Sequence, residues 1–216
     1  MDYSKQISEK TYGLLLYGCI FYGCLMNFIM TSLNINILNY TSNMYVFYII
    51  YFVLALTGIL MSQKSDNPII SFIGYNLVVI PVGWVVDISI KFYGGIQSDI
   101  VKEAFLITLI VFGLMTLFAF ICPKFCRHIG GILFISLLGL VIAEIIFLIF
   151  KFDNIMTAWI GAIIFTLYIA YDTRHAYDVE PTIDNAIDET VSIYLDIINL
   201  FLKLLNILGN SRSSKN

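Results

Sequence analysis

Residues 187–208 read IDETVSIYLDIINLFLKLLNIL, an apolar run long enough to cross a bilayer yet polar along one side. A spanning α-helix needs about 20 predominantly apolar residues to cover about 30 Å of hydrocarbon. On a helix, Asp188 or Glu189, Ser192, Asp196, Asn199, Lys203 and Asn206 recur at spacings of three and four and share one face. Ile193, Leu195, Ile197, Ile198, Leu200, Leu202, Leu204 and Leu205 form the remaining surface. Lipid would leave each polar group unpaired, so the stripe must face protein or water. The segment is therefore expected to lie among other spanning helices.

The rest of the chain supplies them. Its 216 residues are 59% hydrophobic and 12% charged, with mean hydropathy +0.87. Soluble domains run to about 45–50% apolar and about 25% charged. The apolar runs are continuous instead of alternating, which argues against a β-barrel. Further spans are expected at 12–32, 43–62, 69–90, 100–122, 129–150 and 154–172. The fold class is thus an all-α integral membrane protein, a seven-transmembrane-helix bundle forming one domain over 1–216 with the C-terminal helix central. The connectors NINILNYT, QKSDNP, KFYGGIQSD, PKFCRH, KFDN and TRHAYDVEPTIDNA are too short to hold a soluble domain. No small-residue cleavage site follows the first run, so it reads as a retained helix and not a signal peptide.

A net charge of −3 without a basic run excludes nucleic acid as a partner, leaving the lipid bilayer. Lys5, Lys10, Lys64, Lys124, Arg127 and Arg174 fall on the amino-terminal side, against Lys91, Lys102, Lys151, Arg212 and Lys215. With no basic residue in the first outer loop, this bias favours a cytoplasmic amino terminus. Cys19 and Cys24 lie within the first run and read as small hydrophobes. Cys122, Cys126 and His128 cluster at a segment end, but no fourth ligand accompanies them, so they read as interface filler and no cofactor is expected. Tyr45, Tyr48 and Tyr51 read as packing or interface anchors. Asn39-Tyr40-Thr41 is a formal glycosylation sequon in the first outer loop.

Asp172 and Asp196 stand inside the last two apolar segments. A charge at the centre of a spanning helix costs about 2.5–3.5 kcal/mol by insertion scales. Asp172 would end near the inner interface, and Asp196 would lie roughly 9–14 Å along its helix from the same side. The two would then be able to meet within one or two helical turns. Carboxyls sharing a dry site cannot easily both ionise and would titrate as a coupled pair. Ser192, Asn199 and Asn206 read as interhelical hydrogen bonding. Lys203, Glu144 and Asp87 fall at comparable depths, roughly 24, 22 and 27 Å along their helices. Lys203 either pairs with one of those acids or snorkels to the interface. Asp178, Glu180, Asp184, Asp188 and Glu189 read as a solvated loop or an acidic pore mouth.

The run Leu167-Tyr168-Ile169-Ala170-Tyr171-Asp172-Thr173, a polar loop, then Ser192-Ile193-Tyr194-Leu195-Asp196-Ile197-Ile198-Asn199-Leu200-Phe201 resembles the carboxy-terminal signature of the Bax inhibitor-1 (TMBIM) family. The chain's length resembles the bacterial branch. The resemblance implies a seven-helix bundle with the last helix in the centre. It also implies a pH-sensitive calcium leak across a bacterial cell membrane, gated by an aspartate pair at Asp172 and Asp196. Calcium would then be the transported ion, held transiently by those two acids. In bacterial relatives an arginine at the inner end of the second helix latches the first aspartate. Ile59-Leu60-Met61-Ser62-Gln63-Lys64 holds no arginine, so Lys64 or Arg174 is the candidate latch. The alternatives are a non-conducting scaffold with a stress-regulatory role and an intramembrane aspartyl protease. The protease reading lacks the Gly-x-Gly that would precede its second aspartate, where Ile193-Tyr194-Leu195 stands. The expectation is therefore a channel and not an enzyme.

Overall fold

The computed structural model describes residues 5–33 and 44–213. They form seven helices: α1 (Glu9–Ser32), α2 (Met44–Lys64), α3 (Pro68–Phe92), α4 (Asp99–Ile121), α5 (Pro123–Phe150), α6 (Ile155–Ala176) and α7 (Ile183–Ser213). Each is long and apolar enough to cross a bilayer, and the chain is a multi-pass membrane protein. The Asn39-Tyr40-Thr41 sequon, the Tyr45 side chain and Lys215 lie outside the described residues. Tyr48 is half exposed and sets its ring edge-on to Phe47.

The helices overrun the apolar spans because caps end them, not hydropathy. Ser8 caps α1 by accepting a hydrogen bond from the Thr11 N–H at 3.1 Å. Thr182 does the same for α7, its hydroxyl accepting from the Asn185 N–H at 3.1 Å. As a result α7 starts four residues before the expected 187, and Asp184 is helical along with Asp188. The 173–189 connector is correspondingly short, and Asp184 is not a loop residue. PKFCRH is likewise no loop but the opening of α5, with Pro123 at its first position, where a missing N–H is harmless. Proline disfavours helical geometry in the residue before it, and Cys122 alone joins α4 to α5 at φ −120° and ψ 53°. Lys151 ends α5 in the left-handed region at φ 55°. Glycine is the usual residue there, and a side chain costs about 1–2 kcal/mol.

The chain divides into two compact units that share α7. The first holds Met1–Lys91 with Ala176–Tyr194. Within it α2 and α3 meet backbone to backbone: a Cβ on Gly58 would stand 2.5 Å from the Gly74 carbonyl, and one on Gly74 2.6 Å from the Gly58 carbonyl. Small residues that let backbones approach in this way are the main packing device where lipid removes the hydrophobic drive. Tyr12, almost wholly buried, donates from its hydroxyl to the Ala176 carbonyl at 2.7 Å. Asn27 donates to the Tyr194 hydroxyl at 2.6 Å. The second unit holds Phe92–His175 with Leu195–Asn216. There Ala119, Cys126 and Ala170 form a buried cluster flanked by Met115 and Phe118. Cys126 thus packs as a small apolar side chain, while the His128 ring nitrogen Nδ1 bonds the Lys124 carbonyl at 2.7 Å.

Candidate functional site

Asp172 stands one turn before the end of α6 and Asp196 midway along α7, both in the second unit. The exposed carbonyls at the carboxy-terminal end of a helix repel negative charge, so Asp172 sits against the local dipole while Arg174 and His175 complement it in the last turn. Asp196 is 6% exposed, and the Asp172 carboxyl lies close enough to act on its carboxyl. A hydrogen bond between two carboxyls needs a proton on one of them, since ionised carboxylates only accept. The second Asp196 oxygen, Oδ2, makes no hydrogen bond among the described residues. The Thr173 hydroxyl is also buried without a hydrogen-bond partner among the described residues. Tyr168, one turn before Asp172, lies near both carboxyls. Neither Tyr168 nor Thr173 was singled out from sequence, although Tyr168 stands at the i−4 position that shares a helix face with Asp172.

Towards the end of α7, Asn199 turns back on its own helix, its amide donating to the Leu195 carbonyl at 2.9 Å. Asn206 Oδ1 accepts from Asn210 at 2.6 Å. Ser192 is partly buried at the junction of the two units' residue ranges. Lys203 is ion-paired and hydrogen-bonded to Glu144 of α5, with side chains 18% and 38% exposed. Gly161 of α6 makes the pair possible: a Cβ there would stand 2.8 Å from Lys203 Cε and 3.1 Å from Cδ. Asp87, the other proposed partner of Lys203, is instead held by Lys91 at 2.8 Å, four residues along α3. Lys64 is exposed at the end of α2, and Arg174 lies close enough to Cys126 to act on it electrostatically. Among the described residues, no group of three or more His, Cys, Asp and Glu side chains is arranged to hold a metal ion.

The first unit contains two acids from the stretch that reads in sequence as a solvated loop or an acidic pore mouth. Asp184, 6% exposed, accepts from the Ser71 hydroxyl at 2.8 Å. Asp188 accepts from the fully buried Ser62 hydroxyl. These serines come from the facing ends of α2 and α3. Nothing in their spacing links them to α7, so sequence offered no signal for the pairs.

A model of the family described as "Inhibitor of apoptosis-promoting Bax1" matches residues 4–213. An uncharacterized Helicobacter pylori protein is 40% identical over 111 residues, covering 50% of this chain and 47% of that protein. Inner membrane protein YbhL of Escherichia coli is 33% identical over 123 residues, covering 52% of this chain and 53% of YbhL. Bax inhibitor 1 of Schizosaccharomyces pombe is 34% identical over 126 residues, covering 56% of this chain and 46% of that protein. The chain spans about half the length of the curated relatives it matches. With the seven apolar helices and a family match that runs through all of them, the conclusion follows that this chain belongs to the family of Bax inhibitor 1.

Proposed function

We propose that the protein is a pH-sensitive cation leak, with calcium the favoured ion, gated by Asp172 and Asp196. The observation that carries this reading is a buried Asp196 with the Asp172 carboxyl beside it and with Oδ2 unsatisfied among the described residues. A carboxylate kept in such surroundings only for structure would be given a neutral or cationic donor. With one proton shared, the carboxyl–carboxyl hydrogen bond ties α6 to α7. When that proton leaves, two like charges remain in a dry site, and they either separate or recruit a cation. Asp172 and Asp196 then hold calcium only in passing, as a leak requires. Lys64 or Arg174 serves as the latch on Asp172 that relatives are expected to build from arginine. Ser192, Asn199, Lys203 and Asn206 continue the same side of α7. The amino terminus faces the cytoplasm, and the membrane is the bacterial cell membrane, in keeping with the inner-membrane name of YbhL.

Calcium entry into proteoliposomes, followed between about pH 5 and about pH 8, tests the proposal. Wild-type flux should vary with pH, and Asp172→Asn and Asp196→Asn should each remove the variation. Flux indifferent to both substitutions ends the mechanism. Absence of flux from folded wild-type protein favours the scaffold reading instead.

A further inference from the structure

Apart from the aspartate pair, the second unit contains a cavity of about 430 Å³ where the α5–α6 turn meets the end of α7. Ligand pockets commonly hold about 300–1,000 Å³. Its charged and polar lining includes Glu144, Lys151, Lys203, Asn154, Thr157 and Asn206. Its apolar side is built from Phe147, Leu148 and Phe152, of which Leu148 is 80% and Phe152 59% exposed. Because α5 and α6 are both spanning helices, the turn between them lies at a membrane interface. The exposed Leu148 and Phe152 are therefore open to that interface beside the charged lining.

The charges do not balance. Glu144 is taken by Lys203, which leaves Lys151 with no carboxylate partner among the described residues. The left-handed backbone that ends α5 holds Lys151 at the rim. The Asn206 carbonyl is used by Asn210, while its amino group donates to no described residue. Asp153, the acid on the turn, accepts from the Ile155 N–H at 3.1 Å and keeps its charge, but it does not line the cavity. The Thr157 hydroxyl is spent on the Asn154 carbonyl at 2.8 Å. What the lining itself leaves unpaired is thus donors and one positive charge, beside the amino end of α6.

We propose that this cavity binds the phosphate headgroup of an anionic membrane phospholipid. Lys151 and the Asn206 amide meet the phosphate, and the acyl chains lie along Phe147, Leu148 and Phe152. Juxtamembrane basic pockets recognise anionic lipids by this chemistry. A free phosphate ion would have no use for the apolar wall, which is why a lipid is the better match. The inference does not depend on cation leakage or on the aspartate pair, although Lys203 and Asn206 belong both to the cavity and to the α7 polar stripe.

The test is native mass spectrometry of the full chain released from micelles containing phosphatidylglycerol or phosphatidylcholine. Wild-type protein should retain one phosphatidylglycerol in preference to phosphatidylcholine. Lys151→Gln, which alters an exposed side chain, should weaken that retention by about fivefold, the effect of losing one lysine near an anionic headgroup. A second variant, Leu148→Ser, should shorten retention while leaving the charge unchanged. Equal retention of the two lipids, or retention indifferent to Lys151→Gln, overturns the proposal. So does inorganic phosphate binding as tightly as the lipid in lipid-free detergent, since the site would then take a free anion. A Lys151→Gln protein that keeps its lipid but changes calcium flux also overturns it, making the cavity an ion vestibule.

Discussion

The opening turns of α7 and its middle both carry buried acids, but they are satisfied in opposite ways. Asp184 and Asp188 each receive a serine hydroxyl, from Ser71 and Ser62. Asp196 faces another carboxyl and has one oxygen without a hydrogen-bond partner among the described residues. A hydroxyl donates to a carboxylate whatever the pH of the surroundings, so the serine contacts persist on ionisation. A carboxyl–carboxyl contact exists only while a proton is present. The same residue type on the same helix is thus a fastener in one place and a proton-dependent joint in the other. Lys203 and Glu144 add a third solution, opposite charges joined across α5 and α7.

Substitutions should separate these roles. The largest effect is expected from Asp196→Asn, which replaces the shared proton with a permanent amide donor. Calcium flux should then stay level between about pH 5 and about pH 8, with little loss of stability. A pH response that survives would put Asp196 among the fasteners. Next comes Lys203→Met, which strands Glu144 half-buried without its cation. Breaking a fully buried pair costs about 3–5 kcal/mol, and the partial exposure here reduces that to about 2 kcal/mol. Thermal unfolding in detergent should show the loss, and the further change Glu144→Gln should recover most of it. Gly161→Ala should act in the same direction at about 1.5 kcal/mol, because the new methyl occupies the path of the Lys203 stem. An unchanged melting temperature would show that the stem simply moves aside. The smallest effect is assigned to Ser62→Ala, which removes one hydroxyl from Asp188 at about 1 kcal/mol. Its flux should retain the wild-type pH profile, and a flattened profile would erase the contrast between the two parts of α7.

Much of this arrangement was legible in the sequence. Seven apolar runs and the three-four spacing of the polar stripe depend on local composition, and helices followed wherever they pointed. The ends did not, because Thr182 and Pro123 fix them by hydrogen-bond chemistry that a hydropathy reading ignores. The partner of Asp87 was written in plain view: Lys91 is four residues on, one turn of the same helix. Depth along separate helices could not choose between Asp87 and Glu144 for Lys203, since it contains no azimuth. The serine fasteners were hidden for a further reason. A serine in a membrane helix can bond to its own backbone, to a neighbour or to water, and only the packed structure decides which.

One residue, Cys122, makes the whole turn between α4 and α5. So short a link cannot cross the headgroup layer, so the end of α4 and the start of α5 reach the same membrane surface. Their relative depth is therefore tied by that single residue.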